Sequence, residues 1–152
     1  MKIELLIREA TASDLDPVYG LRRQLYEDDA CGAACDIGPG NDALAELLNE
    51  PGFGRLWVGF LGTEMAGYVL VTFSFSLEFK GRNAFVDELV VDRRIRGQGI
   101  GEELLAFAED WARGAGIKAV HLEVTPSNVA AASLYRKRGY LRHERELLTR
   151  WM

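Results

Sequence analysis

The stretch that decides the fold of this chain is Val90-Val91-Asp92-Arg93-Arg94-Ile95-Arg96-Gly97-Gln98-Gly99-Ile100-Gly101. It ends an apolar strand, forms a short basic loop and opens a helix that runs roughly from Gly99 to Arg113. Glycines at alternate positions allow a tight turn and a close approach of the backbone to a ligand, because no Cβ blocks it. The first amides of a helix have no intrahelical partner and lie at the positive end of the helix dipole. The stretch therefore predicts an anion site, and a phosphate is the usual occupant.

Two common phosphate-binding patterns do not fit this loop. A dinucleotide fingerprint requires a glycine where Glu102 stands. A nucleotide-triphosphate loop requires Gly-Lys followed by Ser or Thr, and Ile100-Gly101-Glu102 supplies neither the lysine nor the hydroxyl. A glycine-rich connection that binds no ligand is the remaining alternative from the loop alone.

Composition limits the class of protein. The 152 residues indicate a single domain, 1–152, with the apolar and charged content of an ordinary globule. The net charge of −5 argues against nucleic acid as a partner, and the absence of a long apolar run predicts no membrane contact and a cytoplasmic protein. Cys31 and Cys35 are separated from the histidines, His121 and His143, so we expect ordinary thiols and no metal site.

The spacing of apolar residues predicts the secondary structure. Strands are expected at Ile3–Arg8, Arg55–Phe60, Met65–Leu77, Ala84–Val91 and Ala119–Val124, and one or two more between Tyr140 and Trp151. Two helices are expected between the first two strands, a long helix begins near Gly99, and another follows Asn128. This order indicates an α/β fold with a mixed sheet and flanking helices.

A second motif extends the interpretation of the glycine loop. The loop has the pattern Arg96-x-x-Gly99-x-Gly101, and downstream stands Asn128-x-x-Ala131-x-x-Leu134-Tyr135-x-x-x-Gly139-Tyr140. Together these motifs resemble the GNAT superfamily of N-acetyltransferases. The resemblance implies a central, mostly antiparallel sheet in which two adjacent parallel strands, here 84–91 and 119–124, splay apart to hold acetyl-CoA as co-substrate.

The resemblance also implies which residues bind coenzyme A. The backbone of the splayed strand would meet the pantetheine arm, the loop amides would hold the pyrophosphate, and Asn128 would reach the pantetheine. Asn128 also fits a plain helix N-cap. The implied set is Leu89, Val90, Val91, Arg96, Gly97, Gln98, Gly99, Ile100, Gly101, Asn128 and Tyr135.

In such a reaction a neutral amine attacks the thioester directly in a ternary complex. By motif position, Tyr135 would protonate or orient the leaving sulfur, or else only pack against the sheet, and the Val91 amide would stabilise the oxyanion. Asp87 and Glu88 are candidate bases. Because they are adjacent in a strand, we expect them to point to opposite faces, with one in an ion pair, for instance with a loop arginine. Asp87 is favoured as the base, and deprotonation through water is the alternative.

The acceptor is expected to be a small cationic primary amine. Glu27, Asp28 and Asp29 form an acidic segment after the first helix, although solvated helix ends often have such a composition. The segments Phe73-Ser74-Phe75-Ser76 and Val86-Asp87-Glu88-Leu89 are loosely similar to the diamine and polyamine acetyltransferase branch. Aminoglycosides and amino acid derivatives stay open, as do peptide N-termini and a non-catalytic acyl-CoA sensor. Exposed apolar residues near the end of the chain, such as Leu147 and Trp151, suggest a homodimer.

Overall fold

The structure is a computed structural model that describes residues 4–28 and 41–152, without the side chains of residues 41 and 42. The strands are β1 (Leu5–Glu9), β2 (Gly54–Leu61), β3 (Glu64–Ser76), β4 (Gly81–Val91) and β5 (Val120–Leu122). The helices are α1 (Leu15–Asp28), α2 (Asn41–Asn49), α3 (Ile100–Gly114) and α4 (Val129–Lys137).

Within the described residues the strands form one sheet in the order β1-β2-β3-β4-β5. The pairs from β1 to β4 are antiparallel, and β4 and β5 are parallel. The parallel pair is connected through α3, as a parallel pair requires a crossover. The predicted mixed, mostly antiparallel sheet with flanking helices is therefore confirmed.

Each face of the sheet carries its own core. On one face α3 packs against β2, β3 and β4 through fully buried residues such as Leu104 and Leu105. On the other face α1 and α2 contribute Val18, Leu21 and Leu44. Truncating one of these buried leucines to alanine costs about 2–5 kcal/mol. The two cores hold β4 between them, so its backbone is fixed from both sides.

A register shift interrupts β4 near its middle. Val71 of β3 pairs with Val86, but the next residue along β3, Leu70, pairs with Glu88, so Asp87 is an additional residue on β4. A bulge of this kind re-aims side chains and bends the strand.

The parallel pairing ends at the same point. The pairs between β4 and β5 run from Ala84–Val120 to Val86–Leu122, whereas β4 continues to Val91. Residues 87–91 therefore have no partner on β5. The predicted splay of the two parallel strands is present, and it begins at the bulge.

The predicted strands between Tyr140 and Trp151 are wrong, because no residue from 140 to 152 is in a strand. A strand needs a neighbouring strand for its backbone hydrogen bonds, and the apolar pattern of this segment does not provide one. Side-chain contacts attach it to the β3–β4 hairpin instead: the guanidinium of Arg145 donates to both carboxylate oxygens of Glu78 at 2.7 and 3.0 Å, and His143 lies near Phe79.

The described part of the chain has neither a membrane-spanning helix nor a cluster of metal ligands. No described helix combines the length and the apolar character needed to cross a bilayer. Within residues 4–28 and 41–152, no three His, Cys, Asp or Glu side chains lie close enough together to hold a metal ion. Cys31 and Cys35 lie outside the described residues.

Candidate active site

A cleft of about 570 Å³ opens where β4 and β5 separate. Its walls are the end of β4, the glycine loop with the start of α3, and the turn that leads into α4. The structure brings to this cleft every residue of the predicted coenzyme A set except Gln98: Leu89, Val90, Val91, Arg96, Gly97, Gly99, Ile100, Gly101, Asn128 and Tyr135.

The glycine loop turns through left-handed backbone conformations. Gly97 has φ +78° and Gly99 has φ +86°, values that other residues adopt only with strain. Gly99 is the N-cap of α3, and its carbonyl accepts the first helical hydrogen bond from the amide of Glu103 at 3.0 Å. The preceding amides at the start of α3 have no intrahelical acceptor and lie at the cleft. This arrangement can bind an anionic group.

The backbone at the end of β4 also turns a donor toward the cleft. The amide of Asp92 donates to the carbonyl of Ala66 on β3 at 2.9 Å. Because successive peptide groups of a strand alternate in direction, the amide of Val91 is directed away from β3, to the side where the cleft lies. An oxygen of a ligand in the cleft can accept a hydrogen bond there.

The predicted acceptor acids contact the loop instead of standing alone. Nη2 of Arg93 lies 2.7 Å from the carboxylate of Glu27, and Nη1 of Arg96 lies 2.8 Å from that of Asp28. Nε of Arg96 also donates to the carbonyl of Val91 at 2.9 Å. Asp28 borders the cleft, and Asp29 lies outside the described residues. The end of α1 is thus joined to the glycine loop by exposed ion pairs, each of which contributes about 0–1 kcal/mol.

Two residues of the second motif have definite positions. Oδ1 of Asn128 accepts a hydrogen bond from the amide of Ala131 at 3.1 Å, which confirms the helix N-cap interpretation, and the residue also borders the cleft. Tyr135 is half-buried beside the cleft, where its ring packs edge-on against Tyr140. Burial raises the pKa of the Tyr135 phenol, so the hydroxyl keeps its proton and can donate it.

The expectation that Asp87 and Glu88 point to opposite faces is wrong. Val86 on one side of the bulge and Leu89 on the other both pack into the α3 core, so the alternation slips by one residue between them. Glu88 lies on the α1 face of the sheet, and Asp87 interacts electrostatically with Arg22 and Tyr26 on the same face. The partner of Glu88 is also not a loop arginine but Arg22 of α1, at 2.7 Å.

Asp87 is the more accessible of the two acids. Its side chain reaches solvent, yet its carboxyl is crowded by protein atoms where β4 leaves β5. This burial raises the pKa of Asp87, and the negative charges of Glu88 and Glu123 raise it further, while Arg22 lowers it. Asp87 does not itself border the cleft, but it precedes by two residues the first β4 residue that does, Leu89. A carboxylate of raised pKa at such a position is suited to accepting a proton.

Sequence reasoning missed Arg22 and Tyr68, which hold Glu88. Helical spacing contained a signal for Arg22, because it lies four residues after the buried Val18 and shares its face. Tyr68 lies within an apolar strand, where a buried hydroxyl requires a partner. Thr125 and Ser127 at the cleft were also missed, and nothing in their spacing distinguishes them from ordinary turn residues.

Comparison with known proteins identifies the family of this chain. Residues 17–140 match the acetyltransferase (GNAT) family. The aminoalkylphosphonate N-acetyltransferase of Salmonella typhimurium is 31% identical over 134 residues, which cover 88% of this chain and 83% of the relative. The thialysine N-epsilon-acetyltransferase of Bos taurus is 30% identical over 150 residues, with 89% and 83% covered.

A solved structure supports the fold. A predicted acetyltransferase of Clostridium acetobutylicum, whose structure contains acetyl-CoA, superimposes with a TM-score of 0.79 over 97% of this chain and 96% of its own, at 16% identity. The family match, the two relatives and the splayed cleft agree with one another. The chain belongs to the GNAT family, and it is an acetyltransferase of that family.

Proposed function

We propose that this enzyme transfers the acetyl group of acetyl-CoA to the primary amine of a small cationic acceptor, by direct attack in a ternary complex. The observation that carries the proposal is the cleft between the splayed strands. It has anion-binding amides at one end, and the β4 residues that form its wall, Leu89 to Val91, directly follow Asp87 and Glu88 along the strand. Holding two substrates together at such a cleft provides much of the rate acceleration.

The residues around the cleft fit acetyl-CoA. The amides of residues 96–101 are suited to the pyrophosphate, because they combine free donors with the positive end of α3. The amide of Val91, which is directed away from β3, can donate a hydrogen bond to a carbonyl oxygen of the pantetheine arm. At the acyl end of acetyl-CoA it can instead donate to the carbonyl oxygen of the thioester. Acetyl-CoA supplies the activated acyl group, and acetyl is the acyl group expected by family.

Asp87 is proposed as the general base. A primary amine has a pKa of about 10, so the acceptor must lose a proton before it attacks the thioester. The raised pKa of Asp87 brings its proton affinity closer to that of the amine. Glu88 is less suited to this step, because its carboxylate is buried and already accepts hydrogen bonds from Arg22 and Tyr68.

Tyr135 is proposed to protonate or orient the leaving sulfur. Its phenol borders the cleft and stays protonated because burial raises its pKa. A thiolate with an ordinary pKa of about 8.5 leaves more readily when a phenol donates to it.

The charges around Asp87 support a cationic acceptor. Asp87, Glu88 and Glu123 place three carboxylates against one guanidinium, that of Arg22. This excess of negative charge attracts an ammonium ion and raises its local concentration. The two relatives described above are named for aminoalkylphosphonate and thialysine, and the acceptor proposed here belongs to the same broad class of small amines.

We also propose that the enzyme is a cytoplasmic homodimer. Leu147, Leu148 and Trp151 are 74, 86 and 65% exposed in the single chain, and apolar side chains so exposed are typical of a subunit contact. Light scattering coupled to size exclusion should give twice the mass of the 16.9 kDa chain.

The test is release of free thiol from acetyl-CoA in the presence of amines. The panel comprises diamines, polyamines, aminoglycosides, amino acids including thialysine, aminoalkylphosphonates and short peptides. Release that depends on one amine class, and that falls with Asp87→Asn, supports the proposal and names the acceptor. Coenzyme A binding without release from any amine would refute it in favour of an acyl-CoA sensor, and release with peptides alone would indicate an N-terminal acetyltransferase.

A further inference from the structure

Glu88 is held by an unusually complete set of donors. Nε of Arg22 donates to both carboxylate oxygens at 2.9 and 3.1 Å, and Nη2 donates to Oε1 at 2.7 Å. The hydroxyl of Tyr68 donates to Oε2 at 2.8 Å. The side chains of Arg22 and Glu88 are only 11 and 9% exposed. A further hydrogen bond joins Arg22 to the hydroxyl of Tyr26, one turn further along α1.

Stability alone does not explain this cluster. A buried ion pair contributes little net free energy compared with apolar residues of the same volume, because both charges must be desolvated. The α1 face of the sheet is otherwise an apolar core of valines, leucines and Tyr68. A charged pair at this position therefore calls for a different explanation.

The position of Glu88 supplies one. It follows the bulged residue Asp87 directly and pairs with Leu70 at the first register position after the shift. Fixing the Glu88 side chain against α1 and β3 therefore fixes the backbone on one side of Asp87. Val86, packed in the opposite core, fixes the other side. The direction in which the Cα–Cβ bond of the bulged residue leaves the strand is thereby fixed.

The same cluster surrounds Asp87 with defined charges. Glu88 lies next to it on β4, Arg22 and Tyr26 face it from α1, and Glu123 faces it from the end of β5. The hydroxyl of Tyr68 on β3 meets the neighbouring carboxylate of Glu88. Burial together with Glu88 raises the pKa of Tyr68, and burial and then Glu88 raise that of Tyr26, so both phenols remain neutral donors. The charged neighbours of Asp87 are thus two carboxylates and one guanidinium.

We propose that Arg22, Tyr68 and Glu88 form a positioning network that aims the Asp87 carboxylate at the acceptor amine and sets its proton affinity. The inference rests on the role of Asp87 as base. None of the three residues borders the cleft, and each acts through Asp87. The fixed backbone on either side of the bulge sets the direction of the carboxylate. The charge of Glu88 favours the protonated form of Asp87, and Arg22 limits that effect.

The test is Glu88→Gln, which keeps the shape of the side chain and an acceptor for Arg22 but removes the negative charge. We expect kcat to fall about 10-fold, with the KM for acetyl-CoA unchanged. The limb of the kcat/KM profile that falls toward acid should move to lower pH by on the order of half a unit. Arg22→Lys keeps the charge but loses the bidentate geometry, so it should lower kcat without abolishing folding.

The matched control is Asp14→Asn at the other end of α1. Asp14, which is buried, also forms a bidentate pair with an arginine, the half-exposed Arg8, at 2.8 and 2.9 Å. It should lower the melting temperature and leave the pH profile in place. If Glu88→Gln behaves in the same way, the network is only structural and the inference is wrong.

A titration that needs no turnover separates this inference from the proposed function. Carbon-13 NMR of the carboxyl groups, assigned with Asp87→Asn, gives the pKa of Asp87 directly in the wild type and in Glu88→Gln. A lower pKa in the variant supports the network even if the acceptor is still unknown, and an unchanged pKa overturns it. If Asp87→Asn leaves the acid limb of the activity profile untouched, the base role fails, and the catalytic purpose of the network fails with it.

Discussion

Replacing Gly99 with alanine tests whether the loop conformation is what coenzyme A recognises. Gly99 has φ +86°, and a Cβ added there would meet no atom within 4 Å. The cost of the substitution is therefore backbone strain without a clash, about 1–2 kcal/mol. For a domain of this size each kcal/mol lowers the melting temperature by about 2–4 °C. The strained loop can relax only by rotating the amides that precede α3, so we expect the Kd for coenzyme A to rise at least ~10-fold.

Gly62 provides a matched control in the β2–β3 hairpin. It has φ +61°, and a Cβ there would also meet nothing within 4 Å. Gly62→Ala should therefore cost a similar amount of stability, but it lies outside the residues that border the cleft. Gly99→Asn is a graded variant, because asparagine tolerates the left-handed conformation better than alanine does and should recover part of both losses.

Calorimetric titration of coenzyme A and thermal melts of the four proteins complete the experiment. The expected pattern is an equal loss of melting temperature in the two alanine variants and a loss of affinity in Gly99→Ala alone. The reasoning is refuted if Gly99→Ala melts early, as Gly62→Ala does, yet binds coenzyme A like the wild type. In that case the loop amides are not the pyrophosphate site.

Three further outcomes are expected. Tyr135→Phe should lower kcat by about 10–100-fold at unchanged coenzyme A affinity. Because burial raises the pKa of Tyr135, ionisation of this phenol should not reduce the wild-type rate at any pH below about 10. An unchanged kcat in the variant would exclude the acid role. Asp87→Asn should abolish most activity yet raise the melting temperature at neutral pH. The pKa of the Asp87 carboxyl is raised in the folded state, so this group destabilises the native state increasingly as the pH rises from 3.8, and fully above its folded pKa. Equal melting temperatures of wild type and variant at pH 7.5 would contradict this. The hydrogen bonds from Arg8 outweigh the effect of burial and lower the pKa of Asp14 from 3.8 to about 2. Roughly 1–2 kcal/mol of stability, after allowance for the half-exposed Arg8, should therefore be lost as the pH falls from about 4 to 2. The measurement is urea unfolding of the wild type and of Asp14→Asn across that range, where the difference in their free energies of unfolding should disappear.

Most of the fold could be predicted from the sequence, because local chemistry decides it. A few neighbouring residues are enough to predict the structure of several elements: the glycine loop, the apolar stripe of α3 and the helix end at Gly114-Ala115-Gly116. The cleft was implied by the resemblance to the GNAT superfamily that the two motifs carry. The N-cap role of Asn128 could be read from its residue type alone.

The face on which Asp87 lies could not be predicted, because it depends on partners far along the chain. Regular alternation is the only rule available for a strand without a glycine or proline signal, and it places adjacent residues on opposite faces. Here the slip is set by Leu70 and Val71 on β3 and by Arg22, which is 66 positions from Glu88. The strand prediction for the segment after Tyr140 was wrong for a related reason, because an alternating pattern does not specify which strand it would pair with.

The extra residue in β4 has a consequence for how this strand can change over time. Before Asp87 even-numbered positions face α3, and after Glu88 odd-numbered positions do. Deletion of any residue of the strand other than the bulged Asp87 would exchange inside and outside for one of its halves, whereas most substitutions would leave both halves in place. The number of residues in this strand is therefore under stricter constraint than the identity of most of them. An alignment that treats the strand as regular will assign the wrong neighbours to the residues that line the cleft.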